Sequence, residues 1–175
     1  MVVRFLIPLT AILLFLLEPE FALFSPIELN GQIVYLVPRF LILYLIFVSI
    51  YYSRKRAVVY GVIFGLLYDV FYIDIIGLYT VLYPLIGLIA GSTVKFIHQH
   101  LIITTFLSVI LVALMEIVLY YFFLFINFTS ISLTDFMMIR LIPTMIANLL
   151  FLVMLGWVFK YLINARVLQR ASENT

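Results

Sequence analysis

The sequence contains no cysteine in its 175 residues and very little charge. Without cysteine there can be no disulfides, no thiolate metal sites and no cysteine nucleophile. Charged residues make up 10% of the chain, against about 25% in soluble globular domains, and 67% of the residues are hydrophobic. Such a chain cannot cover its own surface with polar groups in water. We therefore predict an integral membrane protein.

Six apolar runs, separated by charges and helix breakers, divide the chain into predicted transmembrane helices. These helices are 5–17, 33–52, 57–73, 75–94, 101–126 and 137–163. Most runs are near the ~20 residues that cross a ~30 Å hydrocarbon layer, and none shows the period-2 alternation of a membrane β-barrel. We predict a single all-α domain over 1–175, a polytopic membrane helical bundle of about six transmembrane helices. Because only Asp74 separates the third and fourth runs, five full spans are the alternative.

Lysine and arginine predict the orientation of this bundle. With the N-terminus inside, all basic clusters outside the apolar runs face the cytoplasm: Arg4, Arg54-Lys55-Arg56, Lys95 and the basic stretch 160–170. The opposite loops hold no lysine and five acids, Glu18, Glu20, Glu28, Asp74 and Asp135. The positive-inside rule then predicts cytoplasmic N- and C-termini, with 164–175 as a short cytoplasmic tail. That tail either anchors the topology or binds anionic lipid or a partner.

Apart from Lys160 near the cytoplasmic end of the last run, four charged residues lie inside the apolar runs: Arg39, Asp69, Glu116 and Arg140. A charge at the centre of a membrane helix costs about 2.5–3.5 kcal/mol, so each needs a partner. The helical rise of ~1.5 Å per residue places all four in the outer half of the bilayer. Because two acids and two bases at similar depth can neutralise one another, we predict an intramembrane polar cluster. Its role is either structural or that of a ligand cavity or partner contact.

Two glycine pairs have the spacing of close helix contacts. Gly61 and Gly65 lie on one stripe of the third predicted helix with Asp69, and Gly87 and Gly91 repeat the spacing on the fourth. Small residues four apart let helix backbones approach closely in a membrane. We predict that these glycines serve helix packing or partner binding.

Motifs for catalysis and cofactors are weak. Tyr68-Asp69 matches half of the intramembrane aspartyl protease signature, but no Gly-x-Gly-Asp segment follows. His98 and His100 are two apart, so on a helix they face different directions and make a poor metal site. No Gly-rich phosphate loop with a lysine is present. We predict no catalytic, cofactor-binding or metal-binding residues, and no nucleic-acid surface.

Several segments together resemble one bacterial family. Val37-Pro38-Arg39-Phe40 opens the second run, and the third contains Tyr60-Gly61-Val62-Ile63-Phe64-Gly65-Leu66-Leu67-Tyr68-Asp69-Val70, followed by Gly77. An acid in the fifth run, Glu116, and a proline in the sixth, Pro143, also fit. The chain thereby resembles the MreD family of rod shape-determining membrane proteins, and the Gly-x-x-x-Gly-x-x-x-Asp stripe is the most specific part of the likeness.

The resemblance implies a non-enzymatic subunit of the cell-elongation complex in the bacterial cytoplasmic membrane. Members of this family bind MreC, a single-span protein with a large extracytoplasmic domain. They work with MreB, RodA and a class B penicillin-binding protein to direct peptidoglycan synthesis and keep cells rod-shaped. The family is similar in helix arrangement to the substrate-binding S components of energy-coupling-factor vitamin transporters, which supply the alternative function. The outer loops are short for a vitamin site, which favours the first expectation.

Overall fold

The computed structural model describes residues 5–29, 31–93 and 100–173. Its elements in chain order are α1 Leu6–Ala22, β1 Ile27–Leu29, β2 Gln32–Val34, α2 Phe40–Tyr51, α3 Arg54–Tyr68, α4 Leu78–Thr93, α5 Leu101–Phe125, α6 Leu133–Phe136 and α7 Ile142–Glu173. A π-helical turn, Asp69–Ile73, extends α3, and a second one, Met137–Leu141, joins α6 to α7. The prediction of an all-α membrane helical bundle is confirmed.

Three helical units within the described residues are long and apolar enough to cross a membrane: Arg54–Ile73, Leu101–Phe125 and Leu133–Ser172. Two further apolar helices, α2 and α4, are shorter. The number of full spans and the side on which each terminus lies stay predictions. Arg4 and Lys95, which contributed to the predicted topology, and His98 lie outside the described residues.

The centre of the bundle is α2, in which all 12 residues are buried. Its residues are apolar on every side apart from Ser49, as expected of a helix that is surrounded by protein. Helices α1, α3, α4, α5 and α7 all pack against it. The Ser49 hydroxyl is satisfied by donating to the carbonyl oxygen of Gly87 in α4, at 2.6 Å. The other helices are therefore arranged around α2.

Helices α3 and α4 form a hairpin in which the two backbones touch. A Cβ atom added at Gly61 would lie 2.8 Å from the nitrogen of Pro84, and one at Gly65 would lie 2.7 Å from the carbonyl carbon of Tyr79. Real Cβ atoms essentially never approach backbone atoms so closely, so glycine is required at both positions. The two helices pack closely because α3 presents no side chain at these points.

The second predicted helix, 33–52, is corrected at its start. Helix α2 begins only at Phe40, because Gln32–Val34 forms an antiparallel pair with Ile27–Leu29 and the chain then runs without helix to Arg39. Pro38 contributes to this correction, since the residue before a proline is disfavoured in helical conformation.

The fourth predicted helix, 75–94, begins at Leu78 rather than at 75. Asp74 and Gly77 have positive φ values of 59° and 110°, which a continuous helix excludes.

The first and last predicted helices are longer than expected. Helix α1 continues beyond Leu17 to Ala22, through Glu18-Pro19-Glu20. At the other end, helical structure starts at Leu133 instead of 137 and extends to Glu173, so most of the predicted tail continues α7. Polar residues end an apolar run in the sequence. A helix nevertheless continues through them where their side chains reach hydrogen-bond partners or solvent.

Candidate functional site

The segment 35–39, which leads into α2, is held by side chains of α7. The Thr144 hydroxyl donates to the carbonyl oxygen of Tyr35 at 3.2 Å and accepts from the N–H of Val37 at 3.1 Å. The Asn148 amide donates to the carbonyl oxygen of Val37 and accepts from the N–H of Arg39, both at 2.9 Å. Non-helical backbone at membrane depth needs such internal partners. These bonds set the position of Arg39 at the start of α2.

Arg39 is the centre of a buried polar network, with 2% of its surface exposed. Its Nε donates to Glu116 Oε1 at 2.6 Å, which closes a salt bridge between the start of α2 and the middle of α5. Nη1 donates to the hydroxyl of Tyr68 at 3.3 Å, and Nη2 donates to the hydroxyl of Tyr79 at 3.0 Å. The guanidinium is thus bonded to α3, α4 and α5.

Glu116 also binds a second arginine. Its Oε2 lies 3.4 Å from Nη2 of Arg140, on the π-helical turn before α7. The carboxylate is 1% exposed, whereas the Arg140 side chain is 40% exposed. The structure therefore brings together three members of the predicted polar cluster, Arg39, Glu116 and Arg140.

Asp69, the fourth predicted member, makes no ion pair with any described residue. Its carboxylate instead accepts four hydrogen bonds from the start of α4: the N–H groups of Gly77, Tyr79 and Thr80 at 2.8–3.0 Å and the Thr80 hydroxyl at 2.7 Å. A carboxylate there satisfies free backbone donors and complements the positive end of the helix dipole. The expected neutralisation of Asp69 by an arginine is therefore corrected, because a helix N-terminus supplies its partners.

Glu18 is a buried carboxylate that sequence reasoning missed. It is 2% exposed and accepts from the N–H of Leu41 at 3.2 Å and from the hydroxyl of Tyr68 at 3.3 Å. Through Tyr68 it joins the Arg39 network. The neighbouring Glu20 made Glu18 resemble part of a polar stop. Its helical spacing was the available signal, because position 18 continues the buried stripe at positions 7, 11 and 14.

A cavity of about 340 Å³ opens beside the salt bridge. One side is charged and carries Arg39, Glu116 and Arg140. The remaining walls are mostly aromatic or aliphatic, and they are formed by Val37, Tyr68, Ile73, Tyr79, Leu119, Tyr120, Phe123, Phe128, Thr129, Ile131 and Phe136. Three of the four predicted polar residues therefore line a space and do not only join helices.

The four predicted glycines all lie at contacts within the chain. Gly61 and Gly65 in α3 are buried against α4, as described above. Gly87 faces Ala57 at 3.7 Å, an ordinary contact distance, and Gly91 lies against Ser49 and the side chain of Arg54. Packing inside the bundle thus accounts for their spacing, and the buried pair on α3 offers no surface to a partner.

These features define an all-α integral membrane protein with a buried charge network. A family model for the rod shape-determining protein MreD matches residues 3–165. The chain is 32% identical over 148 residues to the rod shape-determining protein MreD of Bacillus subtilis (strain 168), covering 83% of this chain and 85% of that protein. It is 30% identical over 151 residues to the cell shape-determining protein MreD of Streptococcus pneumoniae (strain ATCC BAA-255 / R6), covering 83% and 92%.

No solved structure matches the chain. The match over nearly its whole length shows that the chain belongs to the MreD family of cell shape-determining membrane proteins, so the resemblance noted from sequence is confirmed.

Proposed function

We propose that this chain is a non-enzymatic, multi-pass scaffold of the bacterial cytoplasmic membrane that binds an MreC-like single-span protein. With MreB, RodA and a class B penicillin-binding protein it would direct peptidoglycan synthesis so that cells stay rod-shaped. The observation that carries the proposal is the family match over residues 3–165. The two relatives are named for shape determination, and their names state no catalytic activity.

A long apolar groove between α1 and α7 supports binding of a partner helix. Two cavities of about 420 and 270 Å³ share Phe21, Phe40 and Phe151, so they adjoin. Along α7 their lining residues run from Ala147 to Leu162, roughly 22 Å of helix. That length is most of a ~30 Å hydrocarbon layer, so the groove suits a single transmembrane helix held by van der Waals packing.

The burial of the glycine pair on α3 supports the groove, and not that pair, as the contact with the partner. Gly61 and Gly65 already pack against α4 and are buried, whereas Leu13 of α1 lines the groove and is 55% exposed. The salt bridge between Arg39 and Glu116 supports the same proposal, because it fixes α2 relative to α5 and leaves the bundle one arrangement to present.

Co-purification with the MreC-like protein tests the groove. Leu13→Trp fills it, and Leu114→Trp is the matched control, since Leu114 is 53% exposed on α5 and lines neither cavity. We expect Leu13→Trp to lower recovery of the partner about tenfold, a loss of about 1.4 kcal/mol, and Leu114→Trp to leave it unchanged. Both variants must first reach the membrane in equal amounts. Equal recovery of the partner with the two variants would remove the groove from the proposal.

Depletion of the protein in a rod-shaped cell tests the wider role. The scaffold proposal expects cells to round as peptidoglycan synthesis loses its direction. The alternative, an S component of a vitamin transporter, expects normal shape and loss of uptake of one nutrient. If depleted cells stay rod-shaped and a single vitamin restores their growth, the second proposal would replace the first.

A further inference from the structure

The cavity beside the salt bridge has an excess of positive charge on its walls. Two guanidinium groups, those of Arg39 and Arg140, line it together with one carboxylate, that of Glu116. Glu18 does not line the cavity and meets the network through the Tyr68 hydroxyl. Asp69 is satisfied by the start of α4. The charged side of the cavity is therefore suited to an anion.

Arg140 has hydrogen-bonding capacity that the protein does not use. A guanidinium carries five N–H donors. Within the described residues Arg140 makes one hydrogen bond, from Nη2 to Glu116 at 3.4 Å, which is long for a charged pair. Its Nε is shielded from solvent and has no hydrogen-bond partner among those residues. Its terminal nitrogen Nη1 makes no hydrogen bond to those residues either, so the exposed end of Arg140 keeps donors for a further acceptor.

Arg39 differs from Arg140 in this respect. Its guanidinium donates to Glu116, Tyr68 and Tyr79 and is 2% exposed. It contributes charge to the cavity while its position stays fixed. Arg140 is 40% exposed, so it is both reachable and bound on one side by Glu116. Of the two arginines, Arg140 is the one that can bind a ligand directly.

The rest of the cavity is suited to an apolar tail. Leu119, Phe123 and Phe136 form its walls. Phe128, in the loop after α5, also lines the cavity and is 76% exposed. In a membrane, apolar side chains that are exposed at the mouth of the cavity are more stable against lipid than against water. A molecule with an anionic head and a hydrocarbon tail would therefore match both sides of the cavity.

We propose that this cavity binds an oxyanion, a phosphate or a carboxylate, at the head of an amphiphilic molecule whose tail lies in the lipid. The two terminal nitrogens of Arg140 donate to two oxygens of the head, a paired geometry in which guanidinium groups bind such anions. Arg39 adds electrostatic attraction. The apolar walls hold the first part of the tail. This site is independent of partner binding in the α1–α7 groove.

Binding of dodecyl phosphate to the purified full-length chain in dodecyl maltoside tests the proposal, because the detergent already supplies a competing neutral tail. We expect saturable binding of one molecule per chain by native mass spectrometry. Arg140→Gln should weaken it about tenfold or more, the size of one hydrogen bond to a charged group. Arg170→Gln removes the same charge from an exposed site far along α7 and should have no effect. Equal affinity of these two variants, or no saturable binding to the wild type, would overturn the proposal.

Inorganic phosphate distinguishes the source of the anion. If phosphate alone displaces dodecyl phosphate at similar concentration, the site takes a free anion. If it does not, the apolar tail contributes and the ligand is a lipid. The first outcome overturns the amphiphilic ligand and keeps only the oxyanion site next to Arg140, whereas the second supports both.

A second pair of variants covers the case in which Arg140→Gln fails to fold. Thr129 lines the cavity from the loop after α5, and neighbouring Ser130 does not. Neither residue belongs to the ion-paired network. We expect Thr129→Trp to block dodecyl phosphate binding at least tenfold and Ser130→Trp to leave it intact. Unchanged binding to Thr129→Trp would place the ligand elsewhere and overturn the proposal.

Discussion

Arg39 Nε and Glu116 Oε1 lie 2.6 Å apart, although 77 residues separate them in the sequence. Both side chains are buried, at 2% and 1% exposure. A buried salt bridge is not strongly stabilising in itself, because both charges have lost their solvation. Its directional bonds nevertheless stabilise one arrangement of α2 and α5 relative to arrangements in which the two helices are shifted. Loss of Glu116 leaves the buried guanidinium of Arg39 without a counter-charge, whereas loss of Arg39 leaves Glu116 paired with Arg140 alone.

Glu116→Gln should therefore destabilise the protein by about 3–5 kcal/mol, since it leaves Arg39 without a counter-charge. The measurement is the thermal unfolding midpoint in detergent, with Glu28→Gln as the control in an exposed part of the β1–β2 hairpin. The double variant Arg39→Gln with Glu116→Gln should recover part of the loss. A double variant as unstable as the sum of the single ones would show that the two side chains do not interact.

Asp69→Asn should destabilise the protein by about 2 kcal/mol or more, because one carboxylate oxygen is replaced by a donor that faces the N–H groups of α4. Asp135→Asn is the matched control. Asp135, on the short helix α6, is exposed and accepts from the hydroxyl of Ser132. We therefore expect its replacement to change the free energy of unfolding by less than about 0.5 kcal/mol. Unfolding midpoints in detergent compare the two variants, and equal shifts would contradict the capping role of Asp69.

Gly65→Ala should push α3 and α4 apart, because the new methyl group would overlap the backbone at Tyr79. Overpacking of this kind costs about 1–3 kcal/mol, and here neither backbone can move alone. Gly87→Ala provides the contrast, since its methyl would sit 3.7 Å from Ala57 and alanine favours helix by about 1 kcal/mol. We expect a lower midpoint for the first variant and an unchanged or higher one for the second. The reverse order would mean that α3 and α4 are not in backbone contact.

Glu18→Ala should lower stability by about 1–3 kcal/mol, because it removes the acceptor for the buried N–H of Leu41. Glu20→Ala, two residues later on the exposed side of α1, should change it by about 0.5 kcal/mol or less. Hydrogen exchange of the Leu41 amide adds a local readout, since this amide should exchange faster in Glu18→Ala alone. Equal protection in both variants would remove Glu18 from the network.

Much of the fold follows from elementary features of the sequence. Apolar runs and their lengths predict the helices, since lipid allows a spanning segment few other structures. The cost of charge in hydrocarbon is enough to single out Arg39, Glu116 and Arg140 as residues that need partners, and these three residues do meet. Helical spacing likewise identifies Gly61 and Gly65 as contact positions.

The parts that sequence reasoning missed depend on contacts between distant segments. Charge alone could not show that Asp69 would choose backbone N–H groups over an arginine, because both satisfy a carboxylate. Glu18 was predicted to end a helix. Its role as a hydrogen-bond acceptor depends on α2 and α3 lying beside it, which the sequence of α1 does not show. The interval 35–39 is apolar enough to be predicted as helix. In the structure Pro38 disfavours helix there, and Thr144 and Asn148 of α7 bond its peptide groups.

Asn148 presents its amide to the carbonyl of Val37 and the N–H of Arg39, two groups on the same side of the non-helical segment 35–39. This is the pattern that a neighbouring peptide group makes in a β-sheet. A single side chain on α7 thereby satisfies two backbone groups of a segment that is neither helix nor strand. The main chain can stay non-helical inside the bundle because two side chains of α7, Thr144 and Asn148, bond its peptide groups.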